Sequence, residues 1–244
     1  MKKIMLIILT LILCISFAAC KNDAVSGSGT DTTDSSVSST PPGSYADASV
    51  GDIIEFAGHE WFVLEEEDSM IMILSVYLLD EGQYNGTMKK ITWAESDIRD
   101  SMNDYYLNKA FSDEEIARIV ERAVINNDNP WYGTPGGENT EDKLFLLSIE
   151  ELVKYFGDSG MLSNRPEDSR VIYDDYDDAR IAAYERTGID SWWWLRSPGD
   201  GPTQAALVSQ FGGISVSGFD VMLDDHFPEG RGGIRPALWL KTDQ

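Results

Sequence analysis

Imidazole titrates near neutral pH, so the two histidines, His59 and His226, are where acid–base chemistry is sought first. His226 closes the run Asp224-Asp225-His226, and an Asp225/His226 pair is the kind of unit that activates water in a hydrolase. The run stands in an acidic loop ahead of Phe227-Pro228, however, where a solvated histidine is the simpler reading. Asp174/Asp175 and Asp177/Asp178 have the composition of glycosidase dyads, yet adjacent acids ordinarily just solvate a loop. No nucleophile elbow, phosphate-binding glycine loop or His-Glu-x-x-His motif occurs. These residues make no positive case for catalysis, and Asp225 with His226 stands only as the alternative to a binding function.

Binding chemistry has better material. Arg196 and Arg235 each lie among apolar residues in a chain with 42 acidic and 19 basic side chains. A partly buried guanidinium needs carboxylate or carbonyl partners, and its planar fork can tie several loop ends together. That favours a structural role for both, with a ligand carboxylate or phosphate as the alternative partner. Trp192, Trp193 and Trp194 cannot all face one way, because side chains alternate along a strand. A strand tryptophan such as Trp193, set beside Trp131 and Tyr132, would offer a flat apolar face for a sugar or an aromatic group; otherwise it is core. The candidate ligand-binding residues are Trp131, Tyr132, Trp193, Arg196, Asp128, Asp225 and Arg235. Oxygen-bearing side chains around Asp128 suit Ca²⁺, but the EF-hand spacing is absent and Asx turns explain the same residues. No metal site or cofactor is expected.

The elements that must position these residues read as strands, then helices, then strands from residue 50 onward. Apolar runs at 53–56, 61–64 and 70–74, separated by Ala57-Gly58-His59 and an acidic turn at 65–68, predict an opening β-meander. Three boxes of Ser or Thr followed by Glu, at Thr92/Glu95, Ser112/Glu115 and Ser148/Glu151, mark helix starts. Ile98, Met102 and Tyr105 supply the buried stripe of the first helix; Ile116, Ile119, Val120 and Ala123 supply that of the second. Gly157 fits the left-handed cap that ends the third. Residues 126–137 are too rich in turn formers for a regular element and predict a long loop, followed by an irregular acidic stretch at 163–178. Residues 206–211 and 214–217 flank Gly212-Gly213, which suits a two-residue primed hairpin turn. Residues 234–240 close the fold as a strand, with Pro236 placing it at an edge or at the strand's first residue.

Met1-Lys2-Lys3 and the apolar stretch at 4–19 have the layout of a secretory signal. Phe17-Ala18-Ala19-Cys20 is similar to the lipobox of bacterial lipoproteins, with Phe17 where Leu is commoner, and implies lipidation of Cys20 as the new N-terminus. Cleavage after Ala19 with a free Cys20 is the alternative. The rest of the segment up to residue 49 is Ser, Thr, Asp and Gly rich, a composition that buries too little apolar surface to fold, and its mean reach as a flexible tether is roughly 30 Å. The chain thus divides into a signal (1–19), a lipidated linker (20–49) and one folded domain (50–244) at the extracytoplasmic face of the cell membrane. Cys14 and Cys20 are the only cysteines, so the folded part has no thiol for catalysis, zinc or a disulfide. A net charge of −23 repels phosphate backbones and argues against nucleic acid as a partner.

The Trp-Trp-Trp-Leu-Arg-Ser segment at 192–197 and the Gly-Gly-Ile-Arg-Pro-Ala-Leu segment at 232–238, with the 129–137 loop and residues 142–148, resemble a bacterial family catalogued as domain of unknown function 6273. Ile234 replaces that family's usual Val. A looser likeness runs to the C-type-lectin and formylglycine-generating-enzyme fold, in which a tryptophan-rich strand and a terminal Gly-x-Arg strand bracket a late hairpin. The cysteines of the formylglycine-generating reaction and the calcium motifs of sugar-binding lectins have no counterpart here. The resemblance implies an α+β, C-type-lectin-like fold: an N-terminal β-meander, central helices and C-terminal antiparallel strands. It suits a non-catalytic extracytoplasmic module that binds a protein, peptide or glycan. The alternatives are an envelope hydrolase and an envelope scaffold.

Overall fold

Residues that alternate between buried and more exposed along Ile53–Leu64, and a continuously buried run at Ile71–Ser75, produce β1 (Ile53–Phe56), β2 (His59–Glu67) and β3 (Met70–Ser75), joined as the expected antiparallel meander. The computed structural model describes residues 44–222 and 231–243. The acidic residues after Leu64 do not end β2. The strand runs on to Glu67, and the turn falls at Asp68, whose φ is 52°. Ordered contacts begin before residue 50: Tyr45 donates its backbone N–H to the Thr242 carbonyl at 3.0 Å and its hydroxyl to the Glu55 carbonyl at 2.6 Å.

Beyond the short β4 (Asp80–Gly82), a single 3₁₀ turn at Trp93–Glu95 precedes α1 (Asp97–Ser101). Thr92 makes no side-chain cap; the Ser96 hydroxyl does, accepting the Arg99 N–H. A π-helical stretch, Met102–Tyr106, carries the helix into α2 (Leu107–Ala110). Its wider turn shifts the buried stripe by one residue. Ile98 and Met102 are buried as expected, but Leu107 continues the stripe and Tyr105 faces solvent.

The capping box at Ser112 and Glu115 opens α3 (Asp113–Arg118), which stops sooner than its apolar spacing suggests. Ile119 and Val120 leave it as β5 (Ile119–Val120) and pair with Leu240 and Trp239. These β-branched residues fit an open sheet edge better than a helical turn. The strands β6 (Arg122–Val124) and β7 (Thr140–Asp142) form a separate ribbon around the 126–137 loop. The third box opens α4 (Ile149–Phe156), which ends at Gly157 as expected, but with φ 88° and ψ 171° the glycine is extended rather than in the left-handed helical conformation.

The acidic stretch is not wholly irregular, since it holds β8 (Val171–Ile172) and the start of α5 (Asp177–Arg180). After β9 (Ala182–Ala183) and β10 (Asp190–Ser191) come β11 (Trp193–Pro198), β12 (Gln204–Val208) and β13 (Ile214–Asp220). The hairpin between β12 and β13 is present, but its register sets Val208 opposite Ile214, so the turn is longer than two residues. Gly212 alone of the pair has positive φ, at 82°. The predicted last strand is two strands, β14 (Gly232–Ile234) and β15 (Ala237–Lys241), broken at Arg235-Pro236.

That break organises the α+β fold. One sheet runs β1-β2-β3-β15-β5 and the other β4-β14-β11-β12-β13-β8. The tryptophan strand β11 and the start of the closing segment are neighbours, with β14 parallel to β11 and Gly233 opposite Trp193. The chain then turns at Arg235-Pro236 and crosses into the other sheet, where β15 is central rather than at an edge. Pro236 has no N–H to donate and sits where neither ladder needs one. Gly232 has its own steric reason: a Cβ there would lie 2.2 Å from the Trp194 indole nitrogen. Tryptophans from both sheets, Trp61, Trp193 and Trp194, are fully buried in one continuous core.

Candidate functional site: a groove above the motif arginines

The geometry of α4 begins with its capping box, because Glu151 has two uses. Its carboxylate accepts the Ser148 backbone N–H at 3.0 Å, completing the box, and it also grips the Arg196 guanidinium through both oxygens. Arg196 further donates to the carbonyls of Leu146 at 2.7 Å and Ile125 at 3.0 Å. Next along β11, the Ser197 hydroxyl accepts the Ile149 N–H at 3.0 Å, which satisfies another free amide at the start of α4. The Leu-Arg-Ser segment of β11 is therefore a clamp that fixes α4 against the second sheet.

Arg235, at the sheet-switching corner, is held differently. Its guanidinium donates to the carbonyls of Ser75 at 2.9 Å and Val76 at 3.2 Å, where β3 ends. Three rings surround it, with centroids 5.0 Å (Trp193), 5.8 Å (Phe156) and 5.9 Å (Phe62) from the central carbon. Burial alone pulls its pKa down to about 9, which leaves it protonated at neutral pH.

Phe62 and Phe156 turn their other sides to an open cleft of about 740 Å³ between β2 and α4, lined also by Val50, Gly51, Leu64, Glu65, Glu66, Lys154 and Tyr155. A β-bulge shapes its wall. Val63 pairs with Ile73 and Glu65 with Met72, leaving Leu64 as the extra residue. The insertion changes side-chain parity, so Phe62 and Glu65, three apart, both reach the α4 side, as bulges near binding sites often arrange. A second hollow of about 210 Å³ lies further along α4, lined by residues that include Arg122, Phe145, Glu151 and Trp239. Arg122 stacks on Trp239 at 4.6 Å, and Arg196 lies 5.8 Å from the Phe145 ring. Each motif arginine thus sits one layer of side chains behind one of the two hollows.

Glu65, Lys154 and Tyr155 line both hollows and form the bar between them. Glu65 Oε2 accepts from Lys154 Nζ at 2.6 Å and from the Tyr155 hydroxyl at 2.5 Å. Those two donors, Lys154 first, hold the Glu65 carboxyl below its ordinary range, while burial and then Glu65 push the Tyr155 phenol upward. A carboxyl depressed in the folded state stabilises it above the unfolded-state pKa and loses that contribution as pH falls through the lower folded value. The stability difference between wild type and Glu65→Gln is therefore expected to be constant above about pH 5 and to shrink as pH is taken below 4. Thermal denaturation of both proteins across that range measures it; a difference independent of pH would remove the bar as a charged contact.

The comparison with family models settles one point. A model described as "Domain of unknown function (DUF6273)" matches residues 68–242. The chain belongs to this family. Comparisons with curated proteins and with solved structures gave no match. The DUF6273 segments at 192–197 and 232–238 are the two that supply Arg196 and Arg235, the supports of the groove.

Of the residues expected at a DUF6273 ligand site, the structure brings together only some. Trp131 and Tyr132 are adjacent, but Arg165 lies over both rings, at 4.9 and 4.5 Å. Their backbone amides are held by Asn129 Oδ1, and the Asn129 amide nitrogen donates to Pro198 and Val216 carbonyls, so this loop is pinned to the second sheet. Asp128 accepts the Gly136 N–H at 3.0 Å, as an Asx residue in a turn does. Trp193 is not beside Trp131: its ring is fully buried, with its indole N–H on the Arg180 carbonyl. A ligand stacking on Trp193 is ruled out in this conformation, because the ring is spent on the core and on Arg235. Arg196 is also enclosed, with Glu151 as its carboxylate. Asp225 and His226 lie outside the described residues, as does Cys20.

His59 bonds the carboxylate of Glu185 at 2.9 Å. Asp174 and Asp177, each from one of the suspected acid pairs, both pair with the buried Arg180, so neither pair stands as a dyad in the loop. Among the described residues no group of three or more His, Cys, Asp or Glu gathers to hold a metal ion, and no helix is long and apolar enough to cross a membrane. The groove residues Phe62, Leu64, Lys154, Tyr155 and Phe156 escaped sequence reasoning. Their one signal is the Tyr155-Phe156 pair, which adds two large rings at the end of a helix whose buried face is already supplied by Ile149 and Leu152.

Proposed function

We propose that this DUF6273 protein is a non-catalytic binding module that receives an extended peptide segment of a partner protein in the groove between β2 and α4. It is presented outside the cell by a lipid on Cys20. The observation that carries the reading is the cleft of about 740 Å³, a size typical of ligand sites, lined by the apolar Phe62, Leu64 and Phe156 and by the charged Glu65, Glu66 and Lys154. A second hollow that shares Glu65, Lys154 and Tyr155 with it suits a chain whose side chains occupy separate pockets. A peptide fits better than a glycan, since Arg165 already covers the Trp131 and Tyr132 faces on which a sugar would stack. The C-type-lectin likeness rests on the motif residues and supplies no ligand.

The test is a screen of the mature chain against a random peptide library, followed by Leu64→Asp on any binder. Leu64 is half-buried on the bulge, so the variant is expected to fold and to lose affinity at least tenfold. Peptides that bind the variant equally well, or an absence of peptide binding, would overturn the groove reading. The anchor has its own test: mass spectrometry of membrane fractions is expected to find an acylated N-terminal Cys20. Recovery of only an unmodified soluble form would contradict it.

A further inference from the structure

Buried arginines in so acidic a protein ought to find acids. Arg180 holds Asp174 and Asp177, and Arg196 holds Glu151. Arg235 is 1% exposed, and among the described residues no carboxylate pairs with it. Its Nε and Nη2 are used on the Ser75 and Val76 carbonyls, while Nη1 is buried with no hydrogen-bond partner. An unmet donor on a buried cation is costly, and such groups in native structures usually have a reason.

The position of Arg235 supplies one. Phe62 and Phe156, which flank the guanidinium, are both half-buried and both line the large cleft, so these two rings stand between the cation and the cleft. We propose that the cleft reads a free carboxylate at the end of an apolar chain, namely the carboxyl terminus of a peptide with an apolar last residue, and that Arg235 Nη1 is the donor that receives it. This rests on the groove reading above and names what the groove selects. A monoanion is favoured over a phosphate because the one cation of the cleft lining, Lys154, is already paired with Glu65, which leaves Glu66 to oppose a second negative charge. The last side chain would take the apolar floor beside Leu64.

The experiment uses the mature chain and N-acetylated tetrapeptides ending in Phe or Leu, each as the free acid and as the carboxamide, with decanoate as a non-peptide carboxylate. Calorimetric titration is expected to give a free acid at least tenfold tighter than its amide, as a charge-assisted bond in a desolvated site implies. Arg235→Met, which keeps the side chain's apolar volume, is expected to abolish that difference. Trp193, 5.0 Å from the cation, gives a second readout, because the intrinsic fluorescence of the protein is expected to change with the acid and not with the amide, and Trp193→Phe is expected to remove that change. Equal affinity for acid and amide would overturn the carboxylate inference and leave the groove standing. Tighter binding of decanoate than of any peptide would overturn the peptide terminus as its source, and no binding by any probe would overturn both readings.

Discussion

Glu151→Ala is expected to destabilise the folded chain by about 3 to 5 kcal/mol, because it leaves the Arg196 guanidinium buried without its carboxylate. Arg196 is only 4% exposed, and the carbonyls of Leu146 and Ile125 that remain to it carry no compensating charge. The same change removes half of the Ser148 capping box, which adds roughly 1 kcal/mol. In thermal denaturation the combined loss corresponds to a fall on the order of 10 °C. Glu151→Gln keeps an acceptor for the Ser148 N–H and is expected to fall between wild type and Ala. A melting temperature unchanged by Glu151→Ala would mean that the clamp between β11 and α4 contributes little.

Arg235→Ala is expected to cost a similar amount for a different reason. The substitution removes two hydrogen bonds to the end of β3 and opens a cavity between Phe62, Phe156 and Trp193, a loss typical of large-to-small changes in a core at about 3 to 5 kcal/mol. No ion pair is broken, so Arg235→Met, which fills the space and relieves the desolvated charge, is expected to cost less than half as much. Chemical denaturation of both variants separates packing from charge. Equal losses in Ala and Met would show that the guanidinium's polar contacts, rather than its volume, hold the corner.

Much of the frame was legible because it follows from local rules. The meander, two of the three capping boxes, the end of α4 at Gly157 and the late hairpin all depend on residues within a few positions of one another. What could not be read depends on distant partners. Ile119 and Val120 fit a helical stripe by spacing, and only the vacant edge of β15 makes them a strand. Tyr105 fits the stripe of the first helix until a π turn rotates it outward. Gly-Ile-Arg-Pro-Ala-Leu reads as one strand, because nothing local says that Arg235-Pro236 is where the chain leaves one sheet for the other.

The site was less legible than the fold for the same reason. The arginines were identifiable as structural ties from their setting, and Arg196 with Glu151 is such a tie. The aromatic residues were not, since Trp131, Tyr132 and Trp193 look alike in sequence to a binding cluster and differ only in what covers them: Arg165 for the first two, the core for the third. The groove itself arises from a bulge at Leu64 set against the far end of α4, two segments about ninety residues apart.

The most direct measurement is chemical-shift mapping of the ¹⁵N-labelled folded domain, residues 44–244, with a peptide selected from the library. Perturbations are expected to concentrate at Phe62, Leu64, Glu65, Tyr155 and Phe156, with Trp131 and Tyr132 unmoved. Shifts centred on Trp131, Tyr132 and Arg165, with β2 and α4 silent, would contradict the groove reading.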